Sequence, residues 1–61
     1  MAKIVIVEDD DAARAGYREL LNLAGHEVIA ASTYQEGRHA VQVESPDLVI
    51  ADLRLGGFNG L

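Results

Sequence analysis

Pro46-Asp47-Leu48-Val49-Ile50-Ala51-Asp52 is the stretch on which the fold turns. A proline-aspartate pair opens it as a turn, four apolar residues follow, and one carboxylate closes it. An unbroken apolar run between turn residues is the pattern of a strand covered on both faces, as strands are in a parallel sheet. Asp52 is then expected where the strand emerges, at its carboxyl end. In open α/β sheets that edge is where ligands bind. Ile4-Val5-Ile6-Val7 repeats the pattern, a β-branched run that leads into Glu8-Asp9-Asp10-Asp11.

Lys3 to Val7 reads as a first strand, ended by the acid cluster. Asp10 or Asp11 is placed to cap a helix, where backbone N–H groups lack partners and the helix dipole favours negative charge. That helix is predicted from about Ala12 to Ala24, with Ala13, Tyr17, Leu20, Leu21 and Ala24 at helical spacing as its buried stripe. Arg14 and Arg18, four apart, can face solvent or reach back to the acids. Gly16 costs about 1 kcal/mol against alanine in a helix interior, so it is expected to mark close packing. Gly25 ends the helix as its C′ residue.

His26 to Ala31 reads as a second strand centred on Val28 and Ile29. Ser32 with Gln35, or Thr33 with Glu36, can form the capping box of a second helix that runs to about Glu44. Ala40, Val41 and Val43 are its apolar positions, and Gly37 weakens it. Pro46 stops it. Leu53 to Leu61 reads as a loop.

The order is βαβαβ. Right-handed crossovers between parallel strands restrict the topology. The fold class is α/β, a doubly wound parallel sheet with strand one between strands two and three. Glu8, Asp9 and Asp52 would then converge at one sheet edge, although more than forty residues separate the first from the last.

The chain has 61 residues, no cysteine and a net charge of −5. It makes one domain, and a domain of about 60 residues buries only about 60% of its unfolded surface. It is therefore expected to be part of a larger fold or to self-associate. There is no basic stripe for nucleic acid. No apolar run reaches the roughly 18 residues of a membrane span, and no signal peptide is visible. A cytoplasmic protein is the expectation. His26 and His39 have no partners at metal-binding spacing and read as surface residues. Gly56-Gly57 lacks the lysine and hydroxyl residue of a phosphate-cradling loop.

Several of these features together resemble the receiver domain of bacterial two-component response regulators. They are Val7-Glu8-Asp9-Asp10 after a first strand, Arg14 five residues past Asp9, the Gly25-His26-Glu27-Val28 turn, Pro46 through Asp52, and the trailing Asn59-Gly60. The resemblance runs through residues 1–61 in order. It implies a flavodoxin-like fold, here as the βαβαβ half with strand order 2-1-3. It implies that Asp52 is the phosphoacceptor, taking a phosphoryl group from a histidine kinase or phosphotransfer protein. It implies Mg²⁺, or Mn²⁺ in its place, held by Glu8, Asp9, Asp52 and the backbone carbonyl of Arg54. Such a domain is not an enzyme beyond assisting its own phosphorylation and dephosphorylation.

The chemistry is compatible with these roles. Mg²⁺ takes oxygen ligands and keeps several waters. Clustered carboxylates repel one another, and a divalent cation relieves that repulsion. An aspartate can act as a nucleophile and carry a covalent group.

Three departures from the family pattern stand out. Leu55-Gly56-Gly57 replaces the usual Met-Pro segment after the acceptor. The family's domain has five strands and roughly twice this length. The hydroxyl residue and the lysine that end its later strands have no counterpart here, where Lys3 is the sole lysine. The chain thus reads as a truncated first half, poorly competent in signalling, with strand three left as an open edge. A homodimer through strand three or helix one is the corresponding expectation.

The alternative reading is a natural or engineered half-domain that only self-associates. A phosphohydrolase with an aspartate nucleophile is disfavoured, because it wants a second aspartate where Arg54 stands.

Overall fold

The computed structural model describes residues 1–51. Its elements are β1 (Lys3–Val7), α1 (Asp11–Leu23), β2 (Glu27–Ala31), α2 (Tyr34–Glu44) and β3 (Leu48–Ala51). The strands form one parallel sheet in the order β2-β1-β3, the partial flavodoxin-like arrangement expected. Residues 53–61, read as a loop, lie outside the described residues, as does Asp52.

The two crossovers step in opposite directions, from β1 to β2 and then back past β1 to β3. If both are right-handed, their helices must lie on opposite faces of the sheet. The packing agrees. Val5, Val7 and Ala31 form a buried cluster joined by Tyr34 and Ala40 of α2 and by Ile29 and Ala51. Ile4 and Ile6 project to the other face. They are as well covered, at 3% and 1% exposure. β1 is therefore the strand buried on both faces.

The expectation for β3 is corrected on this point. Leu48, Val49 and Ile50 are 51%, 45% and 40% exposed. Among the described residues β3 forms the sheet edge and pairs with β1 alone, while the helices pack over β1 and β2. An apolar run shows that a strand can be buried, not that neighbours lie on each side of it.

The predicted buried stripe of α1 is also corrected. No residue of α1 is fully buried. Ala13 and Leu21 are half-buried, whereas Tyr17, Leu20 and the capping residue Ala24 are exposed. A three-stranded sheet is too narrow to cover a stripe of that width. Of the three apolar positions expected on α2 only Ala40 joins the core; Val41 and Val43 are exposed.

Gly16, expected at a close packing point, has nothing among the described residues within 4 Å of where a β-carbon would stand. Gly37 is the glycine that marks close approach. It is buried, and a β-carbon there would overlap the Val7 side chain.

The helix ends follow from local chemistry. α1 ends in Gly25 at φ 92°, with Gly25 N–H donating to the Asn22 carbonyl (3.0 Å) and His26 N–H to the Leu21 carbonyl (3.1 Å). That is the Schellman pattern of paired C-terminal bonds. It uses His26 outside the strand, so β2 begins at Glu27 rather than at His26. The His26 ring instead accepts from Ala2 N–H through Nδ1 (3.0 Å), fastening the chain start ahead of β1.

Thr33 is the N-cap of α2, its side chain accepting from Glu36 N–H (3.1 Å). The Glu36 carboxylate reaches back to Ser32, accepting from its N–H (3.0 Å) and Oγ (2.9 Å). The turn before β3 is tied to β1 twice. Asp47 N–H donates to the Lys3 carbonyl, and Lys3 N–H donates to Asp47 Oδ2, both at 2.8 Å.

Candidate functional site

β1 and β3 run side by side to the last described residue, with Ile4 opposite Leu48, Ile6 opposite Ile50 and Val7 opposite Ala51. Glu8 follows Val7, and Asp52 follows Ala51. The acidic turn after β1 thus starts at the carboxyl edge of the sheet, beside the strand that leads to Asp52.

The turn is internally bonded. Glu8 N–H continues the sheet by donating to the Ala31 carbonyl (3.0 Å). Glu8 is only 3% exposed. Its carboxylate accepts from Asp10 N–H through Oε2 (3.2 Å) and makes no ion pair among the described residues. Asp10, in extended conformation, is the N-cap of α1, and its Oδ2 accepts from Ala13 N–H (2.8 Å). This resolves the choice between Asp10 and Asp11, because α1 begins at Asp11.

Arg14 reaches back from α1. Its Nη1 donates to the Glu8 carbonyl (3.0 Å) and its Nη2 to Asp11 Oδ1 (2.6 Å). Three of the four consecutive acids therefore serve the turn itself. Asp9 is exposed and is the carboxylate left over for other work.

Of the residues expected to hold a metal, Glu8 and Asp9 sit together at the end of β1. Asp52 and Arg54 lie outside the described residues. Among the described residues, no three histidine or acidic side chains gather where they could hold a metal ion. The donors that are described fit a hard cation in kind. A buried carboxylate without a cationic partner is costly, and Mg²⁺ takes oxygen ligands of this sort.

Glu36, at the start of α2, is held below the ordinary glutamate value, chiefly by the Ser32 N–H and then by the Ser32 hydroxyl. It belongs to the helix cap and not to the acidic turn.

Of the two courses open to Arg14 in the sequence, solvent or the acids, the structure shows the reach back to the acids. The spacing to Asp11 is visible in the sequence, but the Glu8 carbonyl as its second acceptor depends on how the turn bends.

The fold and this turn define a class, a doubly wound α/β domain with a carboxylate-bearing turn at the carboxyl edge of its parallel sheet. The family model of the response regulator receiver domain matches residues 4–61, and the chain belongs to that family. It is 38% identical over its whole length to the KDP operon transcriptional regulatory protein KdpE of Escherichia coli K12, of which it covers 27%. It is 33% identical over 60 residues to the transcriptional regulatory protein AfsQ1 of Streptomyces coelicolor, covering 98% of this chain and 27% of that one. It is 32% identical over 59 residues to sporulation initiation phosphotransferase F of Bacillus subtilis 168, covering 97% of this chain and 48% of that one. The chain thus spans half or less of the length of these relatives. No helix among the described residues is long and apolar enough to cross a membrane.

Proposed function

We propose that this receiver domain takes a phosphoryl group on Asp52, in the cytoplasm, from a histidine kinase or a phosphotransfer protein. One observation carries the reading. β1 and β3 stay in register to Val7 and Ala51, so the acidic turn and the strand leading to Asp52 leave the sheet at one edge.

In this reading a carboxylate oxygen of Asp52 forms the new bond to phosphorus while the donor's phosphorus–nitrogen bond breaks and the imidazole leaves. Glu8, Asp9, Asp52 and the Arg54 carbonyl would hold Mg²⁺ or Mn²⁺. When bound, the ion supplies charge neutralisation for the transferring group. Glu8, buried, contributes a fixed carboxylate, and Asp9, exposed, contributes an accessible one.

The test has two arms. Mn²⁺ titration followed by amide NMR should give effects clustered at residues 8, 9 and 52 and lost in Asp9→Ala. Acetyl phosphate with Mg²⁺ should add one phosphoryl group, at low yield because the partner lysine and hydroxyl residue have no match in these 61 residues. The adduct should vanish in Asp52→Asn. Effects that scatter evenly over the chain, or an adduct that survives Asp52→Asn, overturn the reading.

A second observation favours a homodimer through β3. Among the described residues Leu48, Val49 and Ile50 are exposed on an edge strand that carries no charge, and such an edge pairs readily with another chain. Two-fold pairing there would place the same patch from both copies in contact. Sedimentation equilibrium should report a dimer for the parent and a monomer for Val49→Lys. A variant that associates as tightly as the parent excludes β3 as the junction.

A further inference from the structure

Arg14 is tied to the acidic turn at three points. Its backbone N–H donates to the Asp10 carbonyl (2.9 Å), opening α1. Its guanidinium donates to the Glu8 carbonyl (3.0 Å) and to Asp11 Oδ1 (2.6 Å). The two guanidinium acceptors lie on either side of Asp9 and Asp10, so the fork spans the turn. We propose that Arg14 is a positioning residue, a clamp that holds Glu8 and Asp9 in the arrangement that receives a divalent cation. This rests on the reading of the turn as a metal-binding element.

Two features separate a clamp from an ordinary surface ion pair. The Asp11 side chain is 90% exposed, and an exposed pair at this spacing contributes little by itself. The bond to the Glu8 carbonyl is of another kind. It joins α1 to the end of β1, and the Arg14 side chain that makes it is 23% exposed. A planar guanidinium can hold two acceptors in fixed directions, which an ammonium group does not. The second feature is the use of the acids. Glu8 accepts from Asp10 N–H, Asp10 caps α1 and Asp11 pairs with Arg14, leaving Asp9 exposed at the centre of the clamped segment.

The sign of the effect distinguishes positioning from charge. By Coulomb's law alone, a guanidinium beside a cation site repels the cation, so its removal would tighten metal binding. A clamp predicts the reverse. Residues that orient metal ligands typically change metal affinity about tenfold or more when replaced.

The experiment uses the full chain and two readouts, Mn²⁺ affinity and hydrogen exchange of Asp10 N–H, the donor to Glu8 Oε2. Arg14→Gln should weaken Mn²⁺ binding about tenfold. It should also speed Asp10 exchange while the β2 amides exchange as in the parent. Arg14→Lys keeps the charge but not the fork, so it should retain the fold and recover little of the affinity. If Arg14→Gln does not fold, Arg14→Lys carries the test.

Unchanged or tighter Mn²⁺ binding together with unchanged Asp10 exchange overturns the clamp. A parent that binds no Mn²⁺ defeats the metal reading instead. The exchange data then decide the clamp separately, faster Asp10 exchange upholding it and unchanged exchange rejecting it.

Discussion

Gly37 lies against Val7 so closely that a β-carbon at position 37 would overlap the valine side chain. Val7 stands on the central strand, opposite Ala31 on one side and Ala51 on the other. The contact therefore sets how near α2 lies to the carboxyl edge of the sheet. Gly37→Ala should gain up to about 1 kcal/mol of helix propensity. It should lose more to overpacking, which costs about 1–3 kcal/mol in a filled core. We expect a net loss on the order of 1 kcal/mol, read from urea unfolding. Val7→Ala in the same chain should relieve part of it, so the double variant should be more stable than the sum of the single changes predicts.

The same substitution at Gly16 should act in the opposite direction. Gly16 is exposed, its φ is not positive, and nothing among the described residues lies within 4 Å of where a β-carbon would stand. Only the propensity gain of up to about 1 kcal/mol remains, so Gly16→Ala should raise the unfolding midpoint. A fall would mean that another surface packs on this part of α1.

Ser45, the C-cap of α2, has φ 49° and ψ 61°, the left-handed region that side chains with a β-carbon disfavour. Gly25 occupies the corresponding region after α1 without that cost. Ser45→Gly should stabilise the chain by roughly 0.5–1 kcal/mol after allowing for the greater freedom of glycine when unfolded. Ser45→Val should destabilise it. Thermal melts of the two variants should move in opposite directions from the parent.

The Glu36 cap gives a pH dependence of known sign. Its folded-state value lies below the ordinary 4.5, first because of the Ser32 N–H and then the Ser32 hydroxyl. A group depressed on folding stabilises above its unfolded value and loses that contribution as pH falls through the folded value. The contribution of Glu36 should thus be complete at neutral pH and fade below 4.5. NMR titration should show the midpoint rising towards the ordinary value in Ser32→Ala. The rise should be partial, because the backbone donor at residue 32 remains.

Much of this fold is legible in the residues, and the failures share a cause. Ile4 to Val7 and Leu48 to Ala51 are equally apolar, yet the first run is the buried centre and the second the exposed edge. Composition states what a strand tolerates; only topology states how many neighbours it has. Likewise, helical spacing places Tyr17, Leu20 and Leu21 near one face of α1, but not how much sheet lies beneath it. Gly16 and Gly37 look alike in sequence because the distinguishing atom belongs to Val7. At the site, the acidic turn after β1 could be read from Glu8 to Asp11 directly. The division of labour within it could not, since hydrogen bonds that fold back over a few residues depend on the bend of the turn.

That division gives the sharpest contrast between neighbours. Asp10 caps α1 through Ala13 N–H, whereas Asp9 beside it is exposed and free of that duty. Replacing an N-cap aspartate by alanine costs about 1 kcal/mol, because a helix N–H loses its acceptor. Asp10→Ala should therefore lower the unfolding free energy, and Asp10→Ser, which also caps well, should restore most of it. Asp9→Ala removes one charge from a run of four acids and should leave stability unchanged or slightly raised. Metal affinity should follow the opposite pattern, with Asp9→Ala abolishing Mn²⁺ binding and Asp10→Ser retaining it. The two measurements on the two neighbours form a crossed design, in which overall loss of structure would depress both quantities together. If Asp9→Ala destabilises the chain as much as Asp10→Ala does, Asp9 has a structural role and is not the carboxylate reserved for the cation.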